Sequence, residues 1–242
     1  MEPVRAHIEN SPFYSLLAPL KHGLIVSCQA RDDEPTNDPA ILAAMAKAAA
    51  LGGAVAIRAN KPANIRAIRA AVDVPIFGIY KQDYPDSPIY ITPTLAEARA
   101  IVEAGCDILT MQATNEPRPD GESLADYLGA LKREFQVPIM ADVSTVEEGI
   151  TAEALGADLV ATTMSGYTPY SRQLAEPDLQ LIRELAAAVP VPVIAEGRIA
   201  TPDEARKALE MGAYAVVVGS MITRPNHITA HFVRGMKASS NP

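Results

Sequence analysis

The sequence predicts an α/β fold: a single closed (β/α)8 TIM barrel, in which eight parallel strands are each followed by a helix. Three observations carry that prediction. First, one unit recurs at AMAKAAALGGAVAIRA (44–59), EARAIVEAGCDILTMQ (97–112), EGITAEALGADLVATT (148–163) and EARKALEMGAYAVVVG (204–219). Each copy is an Ala-rich helical run, a glycine and a short apolar strand, and such self-similarity marks a repeated architecture. Second, a different join alternates with it, at VDVPIFGIYK (72–81), FQVPIMADVS (135–144) and VPVPVIAEGR (189–198), where a helix gives way to a Val-Pro pair and a strand. Third, both kinds together with the apolar run 23–29 give eight strands of similar length, rich in Val and Ile. That composition suits strands buried on both faces.

The elements follow in order. Strands are expected at 24–29, 54–58, 75–80, 107–112, 137–142, 158–162, 193–196 and 213–219. Helices are expected at 38–51, 61–72, 94–104, 122–135, 145–155, 177–189, 201–211 and 226–237. A glycine after each repeated helical run suits a left-handed C-cap. A proline at a strand's first residue ends the preceding helix without removing a central ladder bond. Residues 10–20 are read as a short extra helix within an N-terminal extension, 1–22, of a single domain spanning 1–242. Strands alternating with helices pair in parallel. An open doubly wound sheet is the alternative, but eight equal units without a glycine-rich dinucleotide fingerprint favour closure.

Composition narrows the function. The chain has 242 residues and a net charge of −8, which argues against nucleic acid and anionic membranes as partners. No run of about 18 apolar residues exists to span a membrane. The opening MEPVRAHIENSPFYSLLAPL lacks the apolar core of a signal peptide, so a cytoplasmic protein is expected. Cys28 and Cys106 form neither a disulfide framework nor a metal spacing and are read as buried thiols. His7, His22, His227 and His231 form no ligand cluster, so neither a metal nor a cofactor is expected.

In such a barrel the chemistry sits where strands give way to helices. The residues there are Gln29, Arg58, Asn60, Lys81, Gln112, Asp142, Ser144, Thr162, Thr163, Glu196, Arg198, Gly219, Ser220 and, one turn on, Arg224. A ring of charged groups on one rim is costly without a polar ligand in its middle. Lys81 leaves an apolar strand, and a desolvated lysine loses pKa and becomes a base near neutral pH. Glu196 is its natural partner carboxylate. Strands seven and eight end at Glu-Gly-Arg and Gly-Ser, as adjacent glycine turns opening on one anion site would. The stretch 82–92, with two prolines, is a candidate lid over the mouth; 117–121 and 165–170 are further loops on the same rim.

Together, IVSCQA (25–30), GGAVAIRAN (52–60), DYPDSPIYITPT (83–94), PRPDG (117–121), MADVST (140–145), SGYTPY (165–170), VIAEGRI (193–199) and ITRP (222–225) resemble the N-acetylmannosamine-6-phosphate 2-epimerase family. The resemblance covers nearly the whole chain after residue 15 and keeps every loop in order. It implies a barrel that interconverts N-acetylmannosamine 6-phosphate and N-acetylglucosamine 6-phosphate in sialic-acid or amino-sugar breakdown, as a homodimer. It implies Lys81 as the proton-transferring residue and Glu196 beside the reacting carbon. It places substrate contacts on Gln29, Arg58 and Asp142 and phosphate contacts on Gly197, Gly219 and Arg224, with Arg198 near and counted among the substrate-binding residues; Ser220, at the end of strand eight, is read as a further phosphate contact. Gln82, Gln112 and Glu116 depart from the family pattern. The chemistry expected is removal of the C2 proton of the open-chain sugar and its return on the other face. The alternatives are a Schiff-base aldolase or lyase built on Lys81, and a sugar-phosphate-binding sensor without catalysis.

Overall fold

The computed structural model describes residues 2–119 and 121–238, so Asp120 of the loop 117–121 lies outside the described residues. Eight strands run parallel in sequence order and the last pairs back with the first, closing the barrel. They are β1 (Leu24–Cys28), β2 (Ala56–Asn60), β3 (Ile76–Ile79), β4 (Ile108–Gln112), β5 (Ile139–Asp142), β6 (Leu159–Ala161), β7 (Val193–Glu196) and β8 (Ala215–Val218). Helices α1 (Glu2–Glu9) and α2 (Tyr14–Leu17) precede the barrel. The first seven strands are followed by α3 (Pro39–Leu51), α4 (Pro62–Arg69), α5 (Leu95–Glu103), α6 (Leu124–Glu134), α7 (Val146–Ala154), α8 (Leu179–Ala188) and α9 (Pro202–Glu210). A short α10 (Ser220–Thr223) and a longer α11 (Pro225–Ala238) follow β8. The closed barrel is the fold expected from the repeats.

Local chemistry explains where the helices begin and end. Thr94, Thr145 and Thr201 each start a helix in a reciprocal capping box with Glu97, Glu148 and Glu204. Asp38 caps α3, its carboxylate accepting from the Ala40 and Ile41 amides at 2.8 and 3.1 Å. Gly53, Gly105, Gly156 and Gly212 leave four helical runs with φ of 99°, 96°, 98° and 105°, the left-handed turn that a side chain would resist.

The strands sort their side chains by period two. Ile25, Ala56, Phe77, Ile108, Met140, Leu159, Ile194 and Ala215 form one buried cluster in the barrel interior. Their neighbours Val26, Ile57, Leu109, Ala141 and Val160 belong to the larger cluster packed beneath the helices. Cys28 and Cys106 are free and buried there, and burial pushes both thiols up to about 12. Among the described residues no helix is long and apolar enough to cross a membrane.

The short helix read at 10–20 is α2, continued by a 3-10 turn (Ala18–Leu20), and a further helix, α1, stands before it. Pro12 disfavours helical backbone at Ser11, whose hydroxyl accepts from the Phe13 amide at 3.1 Å, so the chain turns between α1 and α2. Ile8, Leu17 and Leu20 pack into the interior cluster and close its lower end. The Tyr214 hydroxyl donates to the Leu17 and Ala18 carbonyls at 3.2 and 3.3 Å. Leu20→Ala is expected to lower unfolding free energy by about 2–5 kcal/mol, because Leu20 is fully buried. Urea titration measures this, and unchanged stability would show that the segment is not part of the core.

Candidate active site

One step along from the apolar layer, the inward positions of five of the eight strands turn polar. Ser27, Arg58, Thr110, Asp142 and Glu196 follow Ile25, Ala56, Ile108, Met140 and Ile194 two residues on. Arg58 (1% exposed) and Asp142 (fully buried) lie deepest. The Arg58 guanidinium joins three strands. Its Nη2 donates to Asp142 Oδ2, and its Nη1 to Asp142 Oδ1 at 3.3 Å and to Glu196 Oε2. Thr163 Oγ1 accepts from Nη1 at 3.1 Å and donates to Asp142 Oδ1 at 2.7 Å. Thr162 Oγ1 holds the Glu196 backbone, accepting from its amide at 3.0 Å and donating to its carbonyl at 2.9 Å. Arg58 Nε finds no acceptor among the described residues.

The charges set the proton affinities. Burial works to lower the Arg58 pKa, but Asp142 and Glu196 outweigh it and the group stays firmly charged. Burial raises the Glu196 carboxyl and Asp142 adds to the rise, against the opposing pull of Arg58 and Lys81.

Lys81 stands two residues beyond the end of β3, where it bridges Ile91 in an antiparallel hairpin. Its amide donates to Asn60 Oδ1 at 2.8 Å, fixing the backbone against β2. The side chain is open to water through the mouth but walled by protein on its other sides. That desolvation lowers its pKa to about 8, with Arg58 and Arg224 adding and Glu196 and Asp142 opposing. All four charged groups therefore act on the same ammonium.

The remaining expected residues divide. Gln29 Nε2 donates to Ser27 Oγ at 2.8 Å, while its buried Oε1 has no donor among the described residues. Gly197 adopts φ 118°, a backbone that a side chain would resist, and a Cβ at Gly219 would lie 3.1 Å from Ser27 Cβ, tighter than ordinary contact. Ser220 opens α10 beside them. Arg224 is bound by Glu34 through Nε, at 3.0 and 3.2 Å, and through Nη2. Arg198 has φ 58° and its guanidinium donates to the Ser165 and Glu176 carbonyls at 2.7 and 2.9 Å. It is thus engaged by the loop after β6.

The structure adds residues to which the sequence reading assigned no role. Thr163 and Asn60 hold Asp142 and Lys81 in place, although both had been placed on the rim. Tyr90, on the far arm of the hairpin, sets its hydroxyl 3.8 Å from Met164 Sδ, and burial pushes that phenol up to about 12. Asp142 and Glu196 add to the rise and Arg58 opposes it. Gln112 is fully buried and fastens this hairpin to β4, accepting from the Tyr90 amide at 3.0 Å and donating to Thr114 at 2.8 Å and Glu116 at 3.4 Å. A groove of about 700 Å³ lies between the loops after β4 and β5, and no residue of the polar ring lines it. Among the described residues no three His, Cys, Asp or Glu side chains come together to hold a metal ion.

Comparison with known proteins agrees with the closed barrel and shows the family. A family model described as "Putative N-acetylmannosamine-6-phosphate epimerase" matches residues 42–238. A protein of Caldanaerobacter subterraneus subsp. tengcongensis named "Putative N-acetylmannosamine-6-phosphate 2-epimerase" is 52% identical over 223 residues, 92% of this chain and 94% of its own. One of the same name from Clostridium perfringens is 48% identical over 222 residues, 92% of this chain and 100% of its own. The solved structure of the C. perfringens N-acetylmannosamine-6-phosphate 2-epimerase superposes with a TM-score of 0.88, at 48% identity, covering 90% of this chain and 95% of that one. Thiamine phosphate pyrophosphorylase from Pyrococcus furiosus, at 20% identity and a TM-score of 0.54, shares the fold alone. With its barrel closed, its polar rim assembled and half its residues in common with these relatives, the chain belongs to the N-acetylmannosamine-6-phosphate 2-epimerase family of isomerases.

Proposed function

We propose that this protein interconverts N-acetylmannosamine 6-phosphate and N-acetylglucosamine 6-phosphate by proton transfer at C2, in the breakdown of sialic acid and amino sugars. The observation that carries the reading is Lys81: an amine whose pKa is lowered to about 8, set among Glu196, Asp142 and Arg58 at the barrel mouth.

The C2 proton of the closed sugar is not acidic enough to remove. In the open-chain aldehyde it lies alpha to a carbonyl, so its removal leaves an enolate. The neutral amine of Lys81 takes this proton, and the C–H electrons move through the carbonyl onto the aldehyde oxygen. A proton delivered to the opposite face of C2, by Glu196 or by Lys81, completes the inversion. Arg58 keeps Glu196 in place, and Asp142 keeps Arg58 in place. The unpartnered Oε1 of Gln29 is an acceptor for a donor of the sugar. The backbone at Gly197 and Gly219, with Ser220 and Arg224, grips the phosphate, and anchoring that unreactive end supplies orientation. Arg198 contributes through the loop it holds. The reaction takes place in the cytoplasm, where a charged sugar phosphate is retained.

A homodimer is proposed on the exposed face of α11. Phe232 (66% exposed), Val233 (43%) and Met236 (72%) present apolar surface that a second copy would cover. Phe232→Asp is expected to convert dimer to monomer in analytical ultracentrifugation, and an unaltered sedimentation profile would exclude this face.

Incubation with N-acetylglucosamine 6-phosphate in D2O, followed by NMR at C2, tests the reaction. Deuterium is expected to enter C2 as the epimer forms. Lys81→Ala is expected to lose about 10²–10⁴-fold in rate, the usual contribution of one positioned acid–base group. Near-native turnover by that variant would overturn the role of Lys81.

A further inference from the structure

Arg224 does not stand alone at the mouth. The loop between β1 and α3 brings Glu34 to it across 190 residues of sequence. The Glu34 side chain is 7% exposed, unlike that of a loose surface pair, and three further contacts surround its carboxylate. Asn226 Nδ2 donates to Oε1 at 2.9 Å, the Arg31 amide donates to Oε2 at 2.9 Å, and His227 Nε2 lies 4.0 Å away. The Arg224 guanidinium and these donors hold the carboxyl down to about 2, so it is ionised at every working pH. The backbone is folded around it as well: the Glu34 amide donates to the Arg31 carbonyl at 3.0 Å, and the Asn37 amide to the Glu34 carbonyl at 2.9 Å. Two more ties fix the same region. Asp32 pairs with Lys61 at 2.7 Å, and Thr223 Oγ1 donates to the Ser27 carbonyl at 2.6 Å.

A guanidinium is planar and donates from fixed edges. Glu34 takes the edge formed by Nε and Nη2. Nη1 has no partner among the described residues. Arg224 follows α10 at the strand-end rim and lies close enough for its charge to act on Lys81. We propose that Glu34 is a positioning residue, which holds Arg224 by one edge so that Nη1 is presented to the phosphate of the substrate. This rests on the reading of Arg224 as a phosphate contact. The opposite arrangement, in which Glu34 competes with phosphate and is displaced by it, would strand a buried carboxylate on neutral donors alone.

The test uses the full-length enzyme, N-acetylglucosamine 6-phosphate as substrate and inorganic phosphate as competitive inhibitor. Glu34→Gln keeps the shape and removes the charge. It is expected to raise both the KM and the phosphate inhibition constant by about tenfold, with kcat changed by less than about threefold. Glu34→Asp, which keeps the charge on a shorter stem, is expected to fall between the two. In an Arg224→Ala background, where phosphate binding is already weakened, Glu34→Gln is expected to add nothing, since it acts through that guanidinium. Tighter phosphate binding by Glu34→Gln would overturn the proposal in favour of competition. A lower melting temperature with an unchanged inhibition constant would reduce Glu34 to a loop fastener and also overturn it. If Arg224→Ala itself left phosphate affinity intact, the reading of Arg224 would fall first, and the two failures are distinguishable on that basis.

Discussion

One buried ion triad governs the chemistry of the mouth: Arg58 held between Asp142 and Glu196. Taking ions out of water costs several kcal/mol each unless they are paired and hydrogen-bonded. Here two carboxylates share one guanidinium, and the group carries a net negative charge when all three are ionised. The Glu196 and Asp142 carboxylates favour the ammonium form of Lys81. Desolvation and the positive charges of Arg58 and Arg224 oppose it and prevail. The result is an amine lowered toward neutrality and a carboxyl, Glu196, raised toward it. A group shifted toward the operating pH is suited to proton transfer, which is the role the proposal gives to both.

The barrel supplies the precision. Its interior is filled with apolar side chains up to the level of Ile25, Phe77, Met140 and Ile194, and α2 with its following turn closes the lower end. A filled interior leaves the polar layer no room to sink. The same period-two alternation that points Phe77 inward points Asp142 and Glu196 inward from their own strands. Hydroxyls then lock the rotamers and backbone: Thr163 on Asp142, Thr162 on the Glu196 backbone. Asn60 does the same for the Lys81 backbone from the neighbouring strand. The turns after β7 and β8 and the loop after β1, to which the proposal assigns the phosphate, are built apart from the Arg58 triad.

Much of this was legible in the sequence because it is periodic. The Ala-rich helix, glycine and strand unit, and the Val-Pro joins, announce eight strands without reference to any contact. Their last residues list Lys81, Asp142 and Glu196 as groups on one rim. What closure brings together was not legible. Arg58 meets Asp142 and Glu196 across 84 and 138 residues, and nothing local says that one guanidinium serves both. The reading also ended the second strand at Arg58, whereas β2 continues to Asn60 and buries Arg58 inside the layer. Arg198 looked like a rim cation, but its positive φ turns it toward the loop after β6. Glu34 lay in an acidic, proline-containing loop that reads as solvated surface, and only the folded chain puts it against Arg224. Gln112 was listed with the rim residues at the strand ends, yet it is fully buried beneath the hairpin it fastens.

The central claim is that the protein environment, not a bound group, lowers the proton affinity of Lys81. NMR titration of the Lys81 side chain in the substrate-free enzyme, with lysines isotopically labelled and the resonance assigned by substitution, measures it directly. The account predicts a midpoint near 8, well below the ordinary lysine value of 10.5. A midpoint at that ordinary value would contradict it.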